Sequence, residues 1–187
     1  SEYPVCDDKA KGRKRFRACE GGAGGSRDWV GVNWVMLHAL VFPSPNIGLG
    51  SVPAELKMIL DDMREWDKEW LTECFPSLFI GAVRVGFDPE FLMVKGRERI
   101  EKSAYRNFWL PTQGGGVEHC SAVPGMINEM MLQTHNGITR VFPVFPRNQK
   151  ASFYRLRTFG AFLVSSAVEN GNIQDILIES EKGRDFR

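Results

Sequence analysis

The stretch from Gln113 to Gly137 holds the densest group of residues that could do chemistry. Three glycines, Gly114, Gly115 and Gly116, come first, followed by Glu118 and His119. A short apolar run follows, and Gln133, His135 and Asn136 close the stretch. Glycines let backbone approach a ligand closely. A carboxylate just after them can accept hydroxyl hydrogens or tune a water molecule. The plainer alternative for Glu118 is an acid that interacts with a helix N-terminus. His119 and His135 can bond hydroxyl groups, and a structural hydrogen bond serves them equally well. Gln133 and Asn136 suit helix-end packing and capping. Trp29 and Trp34 offer aromatic planes on which a sugar ring could stack, with Trp34 better placed for core packing. His38 lies in an apolar run, where a histidine is more often a satisfied core residue than a catalyst. No G-x-S-x-G elbow supports a serine nucleophile.

Elements that would position these residues can be read from spacing. Residues 1–28 are polar and glycine-rich and read as a long loop. Trp29 to Phe42 is apolar almost all round and reads as a buried helix. Two prolines break the chain at 43 and 45. Ser51 as cap, Pro53 in the first turn and Glu55 predict a second helix. Its stripe of Leu56, Ile59, Leu60, Met63, Trp66 and Trp70 recurs every three or four residues, with Asp61, Asp62, Glu65, Asp67, Lys68 and Glu69 on the other face. Ser77 to Val85 predicts a buried helix. Asp88-Pro89-Glu90 opens another that runs to about Ser103. Pro124 starts the last helix, with Met126, Ile127, Met130 and Met131 inward and Gly137 as its C-cap.

Beyond Gly137 the period changes from 3.6 to 2. Ile138 to Phe145 alternates loosely. Phe159 to Val168 and Asn172 to Ser180 flank Asn170-Gly171, a strong hairpin signal. Helices first and strands last imply two packed units, residues 1–137 and 138–187.

Composition narrows the classes. The chain has 187 residues, 43% hydrophobic and 11% aromatic, enough for a real core. Its 24 basic and 23 acidic residues leave a net charge of +1, so there is no general pull toward nucleic acid or acidic membrane. The basic run Lys9 to Arg17 suits a solvated segment better than a phosphate-binding patch. No apolar run reaches the roughly 18 residues of a membrane span, and no signal peptide is visible. The chain begins at Ser1, which reads as a processed or truncated start. Cys6, Cys19, Cys74 and Cys120 show no C-x-x-C spacing, so neither a zinc site nor any other cofactor is implied. A Cys6–Cys19 disulfide and free thiols both remain open.

Several segments resemble a known family. Glu129-Met-Met-Leu-Gln-Thr-His-Asn-Gly137, followed by Phe142-Pro-Val-Phe-Pro146, is similar to the junction in glycoside hydrolase family 95. There a motif close to EMLLQSHDG closes an (α/α)6 catalytic barrel, and a segment close to LLPALP begins a small β domain. The run from Leu156 and the Glu169 to Gln174 turn resemble the continuation, and Phe42 to Ile47 resembles a YPG-x-x-I turn. The likeness spans about residues 30–180 and is most specific over 129–146.

The resemblance implies a mainly α fold with a C-terminal β unit. Residues 1–137 would be the C-terminal part of an (α/α)6 toroid, and 138–187 a small antiparallel β-sheet domain. It also implies inverting hydrolysis of α-L-fucosides or related glycosides, in a periplasmic or extracellular setting. Inversion needs an acid to protonate the leaving oxygen and a base system to activate water. Glu118 would be the carboxylate that polarises the water-positioning groups, standing where the family has the aspartate of a motif close to IDGNFG. The following Gly-Asn-Phe-Gly is not kept, and Asn136 stands where an aspartate is common. The longer glutamate moves the carboxylate by about 1 Å, a misplacement that can cost about a hundredfold in rate. His119, Gly115, Gly116, His38 and Trp29 would contact the sugar. The general acid and its asparagine pair precede the matched region, so the remainder of the barrel or another chain would complete the site. The expected partner is an oligosaccharide or glycoside, with no nucleic acid and no membrane. The alternative is a non-catalytic carbohydrate-binding or structural domain that keeps only the fold.

Overall fold

The computed structural model describes residues 5–8, 13–16, 41–42, 44, 46–65, 70, 77–107 and 120–186. Their architecture is mixed α/β, with four helices and antiparallel sheets. This corrects the expected mainly α fold built on a partial (α/α)6 toroid. Strands occupy residues expected to be loop and helix, and no ring of paired helices forms among the described residues. Two strands lie in the presumed N-terminal loop: β1 (Val5–Asp8) pairs antiparallel with β2 (Arg13–Phe16), Val5 opposite Phe16.

Helix α1 spans Pro53–Arg64, with Pro53 in its first turn. Ser51 does not cap it. Val52 holds the cap position, and the Ser51 hydroxyl accepts from the Gly48 amide at 3.0 Å. Of the predicted stripe, Ile59, Met63 and Trp70 are fully buried and Leu56 and Leu60 pack beside them, while Trp66 lies outside the described residues. Helix α2 (Ser77–Arg84) is short and buried along its length from Leu78 to Val83. Helix α3 (Pro89–Ser103) starts as predicted. The Asp88 carboxylate accepts from the amides of Glu90 at 3.0 Å and Phe91 at 3.4 Å, satisfying two orphan donors of the first turn.

Helix α4 (Ala122–Met131) lies across α2 at Gly125, where a Cβ would come within 2.6 Å of the Ile80 side chain. Trp70 sits in the middle of this layer. Its ring centroid lies 5.5 Å from Phe79 and from Phe87 and 5.4 Å from Phe91, in edge and tilted contacts that aromatic pairs favour.

The chain leaves α4 earlier than predicted. Leu132 is extended at φ −148° and ψ 119°, and Leu132–His135 forms β3, paired with β4 (Ile138–Val141). Asn136 (φ 55°) and Gly137 (φ 70°) form the two-residue turn between them. Two successive left-handed residues match the right-handed twist of a hairpin, and Asn-Gly is the pair that best tolerates this. Gly137 is therefore a turn glycine and not a helix C-cap. The Phe142 amide closes the hairpin base by donating to the Met131 carbonyl at 2.7 Å.

The remaining strands form one sheet around β6 (Phe162–Glu169). It pairs with β5 (Ala151–Thr158) on one side, and with β7 (Asn172–Ile173) and β8 (Leu177–Ser180) on the other. Asn170 (φ 51°) and Gly171 (φ 75°) make the predicted hairpin turn. A bulge in β5 places Arg155 at φ 54°, and its amide donates to the Ser165 hydroxyl at 2.9 Å. Phe153, Val164 and Val168 from the sheet pack with Leu132 and Phe142 in a second core. Phe145 touches both cores, so the segment 142–146 joins the helical layer to the sheet. No helix among the described residues is long and apolar enough to cross a membrane.

Candidate functional site

The residues singled out for chemistry fall largely beyond what the structure describes. Trp29, His38, Gly115, Gly116, Glu118 and His119 all lie outside the described residues, as do Trp34 and Cys19. The segment 111–119 leads into the N-terminal end of α4, and Gln133 and His135 follow its C-terminal end. Ten residues of helix, about 15 Å of axial rise, separate those ends.

At the C-terminal end of α4 the structure brings together a buried polar cluster. Arg84, the last residue of α2, donates to both carboxylate oxygens of Glu129 on α4, at 3.1 Å from Nε and 2.7 Å from Nη2. Its Nη1 donates to the Val41 carbonyl at 3.2 Å, and its guanidinium lies 4.8 Å from the centre of the Phe42 ring. The two side chains are only 12% and 18% exposed. Fork-on-carboxylate geometry of this kind is the strong form of an ion pair.

Gln133 is fully buried on β3 and its Nε2 donates to the Val83 carbonyl at 3.4 Å. From β4, Arg140 donates to the Leu49 carbonyl at 2.7 Å. Two arginines therefore hold the loop 41–51, one at each end. His135 is 7% exposed and packs on Gly48, where a Cβ would stand 3.0 Å from His135 Nε2 and 3.3 Å from the Arg84 carbonyl. Close approach, and not backbone angle, favours glycine there.

Four polar atoms in this cluster have no partner among the described residues: both ring nitrogens of His135, Oε1 of Gln133 and Nη1 of Arg140. Burial holds the His135 pKa below its ordinary value. The positive charges of Arg84 and Arg140 lower it further, and Glu129 opposes them. His135 is thus neutral near neutral pH. A depressed histidine binds its proton less readily folded than unfolded, so this stability is present above the ordinary histidine pKa and is lost as pH falls toward the depressed one.

Residue types single out Gln133 and His135 but pass over Arg84 and Arg140. The signal is present all the same: each arginine is a lone charge in an apolar run, Ser77 to Val85 and Ile138 to Phe145, and a buried charge demands a partner. Glu129, which the sequence presents as part of a helix signature, is the acid that answers Arg84.

A separate hollow of about 270 Å³ lies between the end of α1 and the start of α3, lined by Met63, Arg64, Phe87, Asp88 and Phe91. Its one carboxylate is already occupied in capping α3. Among the described residues no group of three or more histidine, cysteine or acidic side chains is placed to hold a metal ion. No known protein-family model matches the chain, and no curated protein matches it.

Proposed function

We propose that the chain is part of a carbohydrate-active glycoside hydrolase that acts by inversion on α-L-fucosides or related glycosides. In this reading residues 113–119 form one wall of the sugar pocket, Glu118 polarises the water-positioning groups, and the general acid comes from outside this chain. The chain alone is inactive. One observation supports the reading most: three segments that resemble the family pack against one another as a unit. Arg84 ties Glu129 of the 129–137 segment to the loop 41–51. Arg140 ties the β3–β4 hairpin to the same loop, and Phe142, Val144 and Phe145 carry the 142–146 segment into both cores.

A second reading, a non-catalytic carbohydrate-binding or structural domain, is favoured by a different observation. Gln133 and His135 are buried, Glu129 is partly so, and both oxygens of Glu129 are committed to Arg84. They act as framework, so the chemistry of the hydrolase reading rests on Glu118. Saturation-transfer NMR with L-fucose and L-galactose tests the sugar wall; contact should appear, and Glu118→Gln should weaken it. Nitrophenyl α-L-fucoside should release no nitrophenol with this chain alone. In a polypeptide that also supplies the general acid, Glu118→Gln should slow release by about a hundredfold. Equal rates would remove Glu118 from the mechanism and leave the second reading, and no contact with either sugar would sink the sugar wall and leave only a structural domain.

A further inference from the structure

The β3–β4 hairpin and the loop 41–51 meet the helical layer at a seam that is polar in its centre. A seam made only of apolar side chains would need no histidine. Here His135 is inserted with both ring nitrogens buried and without a partner among the described residues. Its Nε2 faces Gly48 so closely that a methyl group there would sit 3.0 Å away. Neither ring nitrogen is hydrogen-bonded to an acceptor among the described residues.

We propose that His135 is a proton-operated latch: neutral, it lets the hairpin seat on the loop 41–51 and the helical layer, and protonated, it releases them. The charges around it carry the inference. Arg84 from α2 and Arg140 from β4 act on the ring with positive charge, and Glu129 from α4 acts with negative charge. Both Glu129 oxygens already accept from Arg84. A protonated ring would be a third cation beside one committed carboxylate. The loop 41–51 has no ionisable side chain along its sequence, and neither does the β5–β6 turn from Thr158 to Phe162 that meets β3 at Thr134. No other anion from these elements offsets the new charge. The depressed pKa of His135 agrees with this geometry.

Release has defined consequences. The hairpin would lift with Arg140, whose hydrogen bond to the Leu49 carbonyl holds the far end of the loop. The near end stays with Arg84 through the Val41 carbonyl. Mild acid would therefore loosen the contact between helical layer and hairpin before it unfolds either. The latch is independent of the sugar-site reading.

Amide hydrogen exchange across the β3–β4 hairpin and the loop 41–51 tests it, corrected for the intrinsic pH dependence of exchange. Between about pH 7.5 and pH 5, protection of these amides should fall, by about tenfold for each unit by which the His135 pKa is depressed. Protection of α2 should hold. In His135→Gln the hairpin should stay equally protected throughout. In Arg140→Gln one cation is gone and the His135 pKa is less depressed, so the fall in protection should be smaller and level off at higher pH. Should His135→Gln fail to fold, the ring titration of His135 in the unaltered protein decides, since the fall in protection must begin near the ordinary histidine pKa and level off near the midpoint of that titration. Flat protection in the unaltered protein, the same pH dependence in His135→Gln, or protection that keeps falling well below the midpoint of the ring titration would each overturn the latch.

Discussion

Arg84 is the residue on which the polar seam turns, because it makes three kinds of contact from one guanidinium. It forks onto Glu129, bonds the Val41 carbonyl and lies over Phe42. Removing Glu129 would leave that cation largely buried without an anion. Glu129→Ala should therefore cost about 3 kcal/mol in urea-denaturation experiments, at the low end for buried pairs because both side chains keep some solvent. Arg84→Met with Glu129→Leu should recover most of the loss, since two apolar side chains fill the space and leave no charge stranded. A loss in Glu129→Ala under about 1 kcal/mol would show that water satisfies Arg84 as well as the carboxylate does.

At the scale of elements, end signals are legible where they are local. Asp88-Pro89-Glu90 predicts the start of α3, and its carboxylate caps the first turn as the residue types demand. Asp88→Ala should cost about 1 kcal/mol, measured by thermal unfolding, with Asp88→Asn or Asp88→Ser close to neutral. The Asn-Gly pair teaches a different lesson. At 170–171 it predicts a hairpin and makes one. At 136–137 the same pair reads as a helix end, because the apolar spacing of α4 leads directly into it. The strand on the far side of the glycine decides between the two outcomes. Ile138–Val141 is a partner for Leu132–His135, and pairing outweighs one more helical turn. Gly137 has open space around its missing Cβ, so any cost of a side chain there is backbone strain alone. Gly137→Ala should lose about 1–2 kcal/mol, read as a lower urea midpoint with an unchanged slope. An unaltered midpoint would mean that the turn relaxes without cost.

The whole molecule, as far as it is described, consists of a helical core around Trp70 and a sheet core around Val164, joined through Phe145. The far face of the sheet carries cross-strand pairs, Arg155 with Glu179 and Arg157 with Glu181, that span β6 in solvent. Exposed pairs of this kind contribute little, so Arg157→Gln should shift stability by less than about 1 kcal/mol, and salt should erase even that. A larger, salt-resistant loss would place that face against something other than water. Local signals by themselves determined the buried faces of α1 and α2, the start of α3 and the β6–β7 turn, because apolar spacing, the Asp88-Pro89-Glu90 cap and the Asn170-Gly171 pair all act over a few neighbouring residues. Only the tertiary structure decided that α4 stops at Met131, that β5 forms, and that Arg84, Glu129, His135 and Arg140 share one buried seam. Those outcomes depend on partners brought together from distant parts of the chain, such as Arg84 and Glu129 at 45 residues apart, and no local spacing encodes which distant charge will answer which.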